Sequence, residues 1–108
     1  MSSCEFTCAA SWGGKPVARR IADARARQRV VVTGAISKSR TIALGHSQAY
    51  SCVLTDGSGE IGLIFVGRHT VRGMVPGIRC TVEGTARMVG TRLEIWNPLY
   101  RLEPESVA

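Results

Sequence analysis

The run Ile78-Arg79-Cys80-Thr81-Val82-Glu83-Gly84-Thr85-Ala86-Arg87-Met88 decides the fold. One parity, Ile78, Cys80, Val82, Gly84, Ala86 and Met88, is apolar or small throughout. The other, Arg79, Thr81, Glu83, Thr85 and Arg87, is polar throughout. Successive side chains of a strand point to opposite faces, so this alternation predicts a strand with one face in a core and the other toward water. The same period recurs on both sides of the run. Upstream, Val30, Val32, Gly34 and Ile36 share a parity in 29–37, Tyr50, Cys52 and Leu54 in 48–55, and Ile61, Leu63 and Phe65 in 60–66. Downstream, Leu93 and Ile95 face inward in 92–96, with Glu94 and Trp96 outward. Asn97-Pro98 then bends the chain before Leu99-Tyr100-Arg101-Leu102 continues it. Asp56-Gly57-Ser58-Gly59 is a hairpin turn signal.

These strands, with a Gly- and Pro-bearing connection at 67–77, would leave long edges as a flat sheet. Closure into a small barrel removes them. Gly34 and Gly84 lie on the inward parity of the two longest strands, where glycine lets a strand coil through a corner. The expectation is an all-β, five-stranded Greek-key OB-fold barrel over 29–102. An SH3-like barrel is the structural alternative. Residues 1–14 show no periodicity and read as a flexible tail; 103–108 read as a loose C-terminus. In 15–28, Pro16 followed by Val17, Ile21, Ala24 and Gln28 fits a short amphipathic helix, with Arg19, Arg20 and Arg27 on its basic back.

The chain of 108 residues carries a net charge of +6 with 44% hydrophobic residues, which suits one globular domain and excludes a disordered one. Residues 1–40 hold eight basic and two acidic groups, while the rest of the chain is neutral. A one-sided basic excess suits a polyanionic partner. No apolar stretch is long enough to span a membrane, and 1–14 lacks the pattern of a secretory leader, so a reduced, cytoplasmic setting is expected. Cys52 and Cys80 read as small core residues. Cys4 and Cys8 lack a second ligand pair, and the two histidines have no ligand-spaced partner, so neither metal nor cofactor is expected. No G-x-S-x-G, P-loop or H-E-x-x-H occurs, and turn chemistry accounts for Asp56, so the chain does not read as an enzyme.

Val30-Val31-Val32-Thr33-Gly34, Leu54-Thr55-Asp56-Gly57-Ser58-Gly59, Val82-Glu83-Gly84 and Asn97-Pro98-x-Tyr100 stand in the order and spacing of an OB-fold nucleic-acid-binding family. Over about 28–102 the chain resembles the small stand-alone OB-fold proteins of actinobacteria, for which Phe65-Val66-Gly67-Arg68 and Pro76-Gly77 also fit. It is similar as well to the wedge domain of the RecG branch-migration helicase. The resemblance implies an OB barrel that binds single-stranded or branched DNA without catalysis.

OB-folds bind oligonucleotides across their second and third strands, flanked by the loops after the first and fourth. Those loops are expected at 38–47, with Lys38 and Arg40, and at 88–92, with Arg87 and Arg92 at its edges. With Arg19, Arg20, Arg27 and Arg68 they would contact phosphates. Trp96, opposite in parity to Leu93 and Ile95, is the leading base-stacking candidate. Tyr50 is the second, although it shares parity with core residues. RNA in place of DNA is one competing ligand. A protein partner docking on outward Val53, Ile64 and Trp96 is the other.

Overall fold

In the computed structural model, which describes residues 17–103, the alternating run becomes one stave of a closed barrel. The strands in chain order are β1 (Val17–Ala18), β2 (Arg29–Leu44), β3 (Ser47–Thr55), β4 (Glu60–Val66), β5 (Arg79–Val89), β6 (Arg92–Trp96) and β7 (Leu99–Leu102). They lie in the order β1-β2-β3-β4-β6-β5-β7, and a β2–β5 pairing closes β2, β3, β4, β6 and β5 into a ring. Within that ring only β4 and β6 run parallel; the other four pairings are antiparallel. β7 returns along β5, pairing Cys80 with Leu102 and Glu83 with Leu99.

The inward parity behaves as the alternation requires. Val30, Val32, Ile36, Cys52, Leu54, Ile61, Leu63, Cys80, Val82, Ala86 and Ile95 form one buried cluster. The connection after β4 adds Val71 and Met74 to it. Two glycines mark where backbones approach closely. A Cβ on Gly34 would lie 2.4 Å from the Thr55 carbonyl oxygen, and one on Gly84 would lie 2.4 Å from Ile95 Cγ2. The polar parity of β5 is not wholly solvated: Glu83 is 0% exposed, and Arg29 Nε donates to its Oε2 at 3.0 Å. Thr81 is buried too, sharing a 2.7 Å hydrogen bond with the Thr33 hydroxyl.

The segment expected as a helix is not one. It forms β1, parallel to β2 at Val30 and Val31, then a single 3-10 turn at Ile21–Asp23. Long-range hydrogen bonds replace helical ones there. Asp56 Oδ2 accepts the Ile21 amide at 2.9 Å, and Ser58 Oγ accepts the Ala22 amide at 3.0 Å. The spacing of Ile21 and Ala24 is satisfied by a turn that buries both against the barrel end. Residues 1–14, with Cys4 and Cys8, and 104–108 lie outside the described residues. No helix among the described residues is long and apolar enough to cross a membrane.

Two connections are much shorter than the sequence reading expects. The residues assigned to a loop at 38–47 instead extend β2 to Leu44, and only Gly45 and His46 turn the chain. Gly45 takes φ of 60°, which glycine adopts without a Cβ clash. The loop assigned to 88–92 shrinks to Gly90 and Thr91. Lys38, Arg40, Arg87 and Arg92 therefore sit on strands, which fixes their direction.

Candidate nucleic-acid interface

The direction of Lys38 and Arg40 depends on one irregularity. Before it, even-numbered residues of β2 point inward, ending with Ile36. The register with β3 slips between Ile36 and Lys38, so that Ile36 pairs with Leu54 and Lys38 with Val53. This bulge at Ser37 inverts the parity. Lys38 and Arg40 then share the outer face with Val53 and Ser51 instead of entering the core.

The register carries two rows across that outer face. Arg40, Ser51, Ile64 and Trp96 are successive cross-strand partners, and so are Lys38, Val53, Gly62, Glu94 and Arg87. Arg92, two residues before Glu94 on β6, lies on the same side. Lys38, Ser39, Arg40, Ser51, Val53 and Arg92 line a groove of about 280 Å³. Such a face holds cations on both flanks of β3 and β4 with an indole at one side. It can neutralise a phosphodiester backbone and offer one stacking surface.

Trp96 is half-buried, and two neighbours hold it. Its Nε1 donates to Glu94 Oε1 at 2.9 Å, and the Arg87 guanidinium lies 4.8 Å from the ring centroid. Arg87 and Trp96 are diagonal neighbours across β5 and β6, within reach of long side chains. Glu94 is 9% exposed and occupies space that glycine leaves free: a Cβ on Gly62 would sit 3.0 Å from Glu94 Cγ. Arg92 Nη2 is 3.9 Å from Glu94 Oε2.

Five of the sequence candidates thus meet on one face: Lys38, Arg40, Arg87, Arg92 and Trp96. Five do not. Tyr50 is 6% exposed, and its hydroxyl donates to the Met74 carbonyl at 2.7 Å; it is a core residue and offers no stacking face. Arg68 follows the end of β4. Arg19, Arg20 and Arg27 belong to the N-terminal segment and line no part of the groove. Arg20 is paired with Asp23 at 3.0 Å, and Arg27 is held at φ of 71° with its amide donating to the Ala86 carbonyl. Val53 and Ile64, expected outward and available to a protein partner, are only 8% and 3% exposed. The sequence reading did not select Glu94, Gly62 or Ser51. For Glu94 a signal exists, since the period of two places it between Arg92 and Trp96 on one face; nothing in the sequence marks the bulge that aligns Ser51 with Arg40.

Asp56, just past the end of β3, pins the N-terminal segment to the barrel. Desolvation pushes its carboxyl up, but hydrogen bonds from the Ser58 hydroxyl and the Ile21, Ser58 and Gly59 amides outweigh it and hold the pKa at about 2. Burial pushes the Cys52 thiol up to about 12 and the Cys80 thiol up to about 11. Both are inert core groups by this measure. Among the described residues, no three His, Cys, Asp or Glu side chains are grouped to hold a metal ion.

No family model and no curated protein matches the chain. Solved structures similar to it include two from archaeal replication proteins. The second OB-fold domain of replication protein A from Methanococcus maripaludis superposes with a TM-score of 0.66 at 14% identity, over 85% of this chain and all of that one. The replication factor A related protein from Methanobacterium thermoautotrophicum gives a TM-score of 0.59 at 17% identity, over 81% of this chain and 91% of that one. With the five-stranded ring and its parallel β4–β6 pairing, these likenesses establish that the chain has the OB fold.

Proposed function

We propose that this protein is a non-enzymatic nucleic-acid-binding OB-fold module that takes single-stranded or branched DNA across the outer face of β3, β4 and β6, with little sequence specificity. One observation carries the reading: Lys38, Arg40, Arg87 and Arg92 converge with Trp96 on the face where an OB barrel binds oligonucleotides. The cations bind phosphates whatever the sequence, and a single indole stacks any base. The motif resemblance to stand-alone actinobacterial OB-fold proteins and to the RecG wedge points the same way, as do the two structural neighbours, a replication protein A domain and a replication factor A related protein. A protein-docking role would need outward apolar surface here, and Val53 and Ile64 supply almost none.

Fluorescence anisotropy with single-stranded DNA, forked DNA, duplex DNA and RNA of equal length tests the proposal. Single-stranded or forked DNA binds tightest if it is right. Tightest binding of RNA reassigns the ligand, and no binding to any of the four sinks the reading.

A further inference from the structure

Glu94 is anomalous on a face of four cations. A carboxylate there repels the phosphates that the cations attract, yet the fold makes room for it. Gly62 supplies the space, and Trp96 supplies a hydrogen bond to Oε1. Oε2 is differently placed. It forms a long ion pair with Arg92 Nη2 at 3.9 Å, beyond hydrogen-bonding distance, and lies 3.5 Å from where a Cβ on Gly62 would stand, so its hydrogen-bond acceptor sites are not taken by Arg92. A carboxylate oxygen accepts up to two hydrogen bonds and donates none. The outer face therefore holds a fixed acceptor beside the indole on which a base would stack, anchored to it through the other carboxylate oxygen.

We propose that Glu94 reads the Watson–Crick edge of one base seated against Trp96, favouring bases that present an amino donor over thymine or uracil. This rests on the reading of the face as a single-strand site. Cytosine offers its N4 amino group to a carboxylate, adenine its N6 amino group, and guanine N1–H and N2 amino together. Thymine and uracil flank their one N–H with two carbonyl oxygens, which a carboxylate repels. The Trp96 hydrogen bond fixes the orientation of Glu94, so the acceptor is in place before the ligand arrives. The preference applies at one base position and leaves neighbouring positions unread.

Oligo(dC) and oligo(dT) of equal length isolate the amino-for-carbonyl exchange, because both are pyrimidines of similar stacking surface. Anisotropy in slightly alkaline buffer compares the two on the intact protein and on Glu94→Gln. Glutamine keeps an oxygen to accept from Trp96 Nε1 but adds a donor and removes the charge; an unchanged melting temperature checks that the face is intact. The intact protein binds oligo(dC) about tenfold tighter than oligo(dT), within the range one base-edge contact supplies. In Glu94→Gln the ratio falls to about unity while both strands still bind. Equal affinities in the intact protein, or an unchanged ratio in the variant, overturn the role of Glu94 and leave the single-strand reading standing. Failure to bind either strand overturns both.

Discussion

In the proposed binding mode, Trp96 is the residue on which base contact turns. It is half-buried between Glu94 and Arg87, so its indole is held in one orientation before any ligand binds. Pre-ordering of this kind reduces the entropy lost on binding. Trp96→Ala is expected to weaken single-strand binding by about 1–3 kcal/mol while leaving its salt dependence in place, because stacking is lost and phosphate contacts are not. Titration of that variant across salt measures both quantities. A second residue-scale prediction concerns Asp56. Its folded pKa of about 2 lies below the ordinary carboxylate value, so its contribution is present above about pH 4 and is lost as pH falls toward 2. Asp56→Asn should melt lower than the intact protein at neutral pH, and the gap should close across that acidic window. A gap independent of pH would contradict the hydrogen-bonded carboxylate as its source.

At the scale of elements, most strands are legible in the sequence because each has one buried face. The parity of β5 places Val82 in the core, and Cys52, Leu54, Leu63 and Ile95 follow the same logic. The far half of β2 is different. Its residues from Lys38 onward are exposed or half-buried, so no core face imposes a period of two, and a polar strand reads as a loop. The bulge at Ser37 is invisible for the related reason that a parity inversion only shows when both sides of it are buried. The N-terminal segment misleads in the opposite sense. Ile21 and Ala24 have helical spacing, but the partners that decide its shape, Asp56 and Ser58, lie more than thirty residues away. Glycine contacts can be tested directly. Gly34→Ala drives a Cβ into the Thr55 carbonyl and is expected to cost about 2 kcal/mol or more, whereas Gly45→Ala meets nothing within 4 Å and costs about 1 kcal/mol from its positive φ. Chemical denaturation of the two variants gives the comparison; equal losses would contradict the close approach of β2 to the turn after β3.

For the whole molecule, charge in the sequence and charge on the proposed binding face are distributed differently. The net excess lies within residues 1–40, but among the described residues of that region only Lys38 and Arg40 are basic groups lining the groove. Arg87 and Arg92 come from a part of the chain that is neutral overall. The barrel gathers these four cations onto one face by topology, which composition alone does not reveal. Ile21, Ala22 and Ala24 of the N-terminal segment share a depression with Arg92 at the groove's edge, and Arg19 and Arg25 line a second one with Ala22 and Ala24. Replacing Arg19, Arg20, Arg25 and Arg27 with Gln is expected to flatten the salt dependence of single-strand binding by about one unit of slope, as the loss of one or two phosphate contacts would.

The face itself is tested most directly by the same slope. Log affinity for single-stranded DNA against log salt should fall with a slope of about −2 to −3 from the four outer-face cations, before any contribution from the N-terminal arginines. In the variant with Lys38, Arg40, Arg87 and Arg92 all replaced by Gln, and an unchanged fold, most of that slope should vanish together with most of the affinity. An unaltered slope and affinity in that variant would contradict the assignment of β3, β4 and β6 as the binding face.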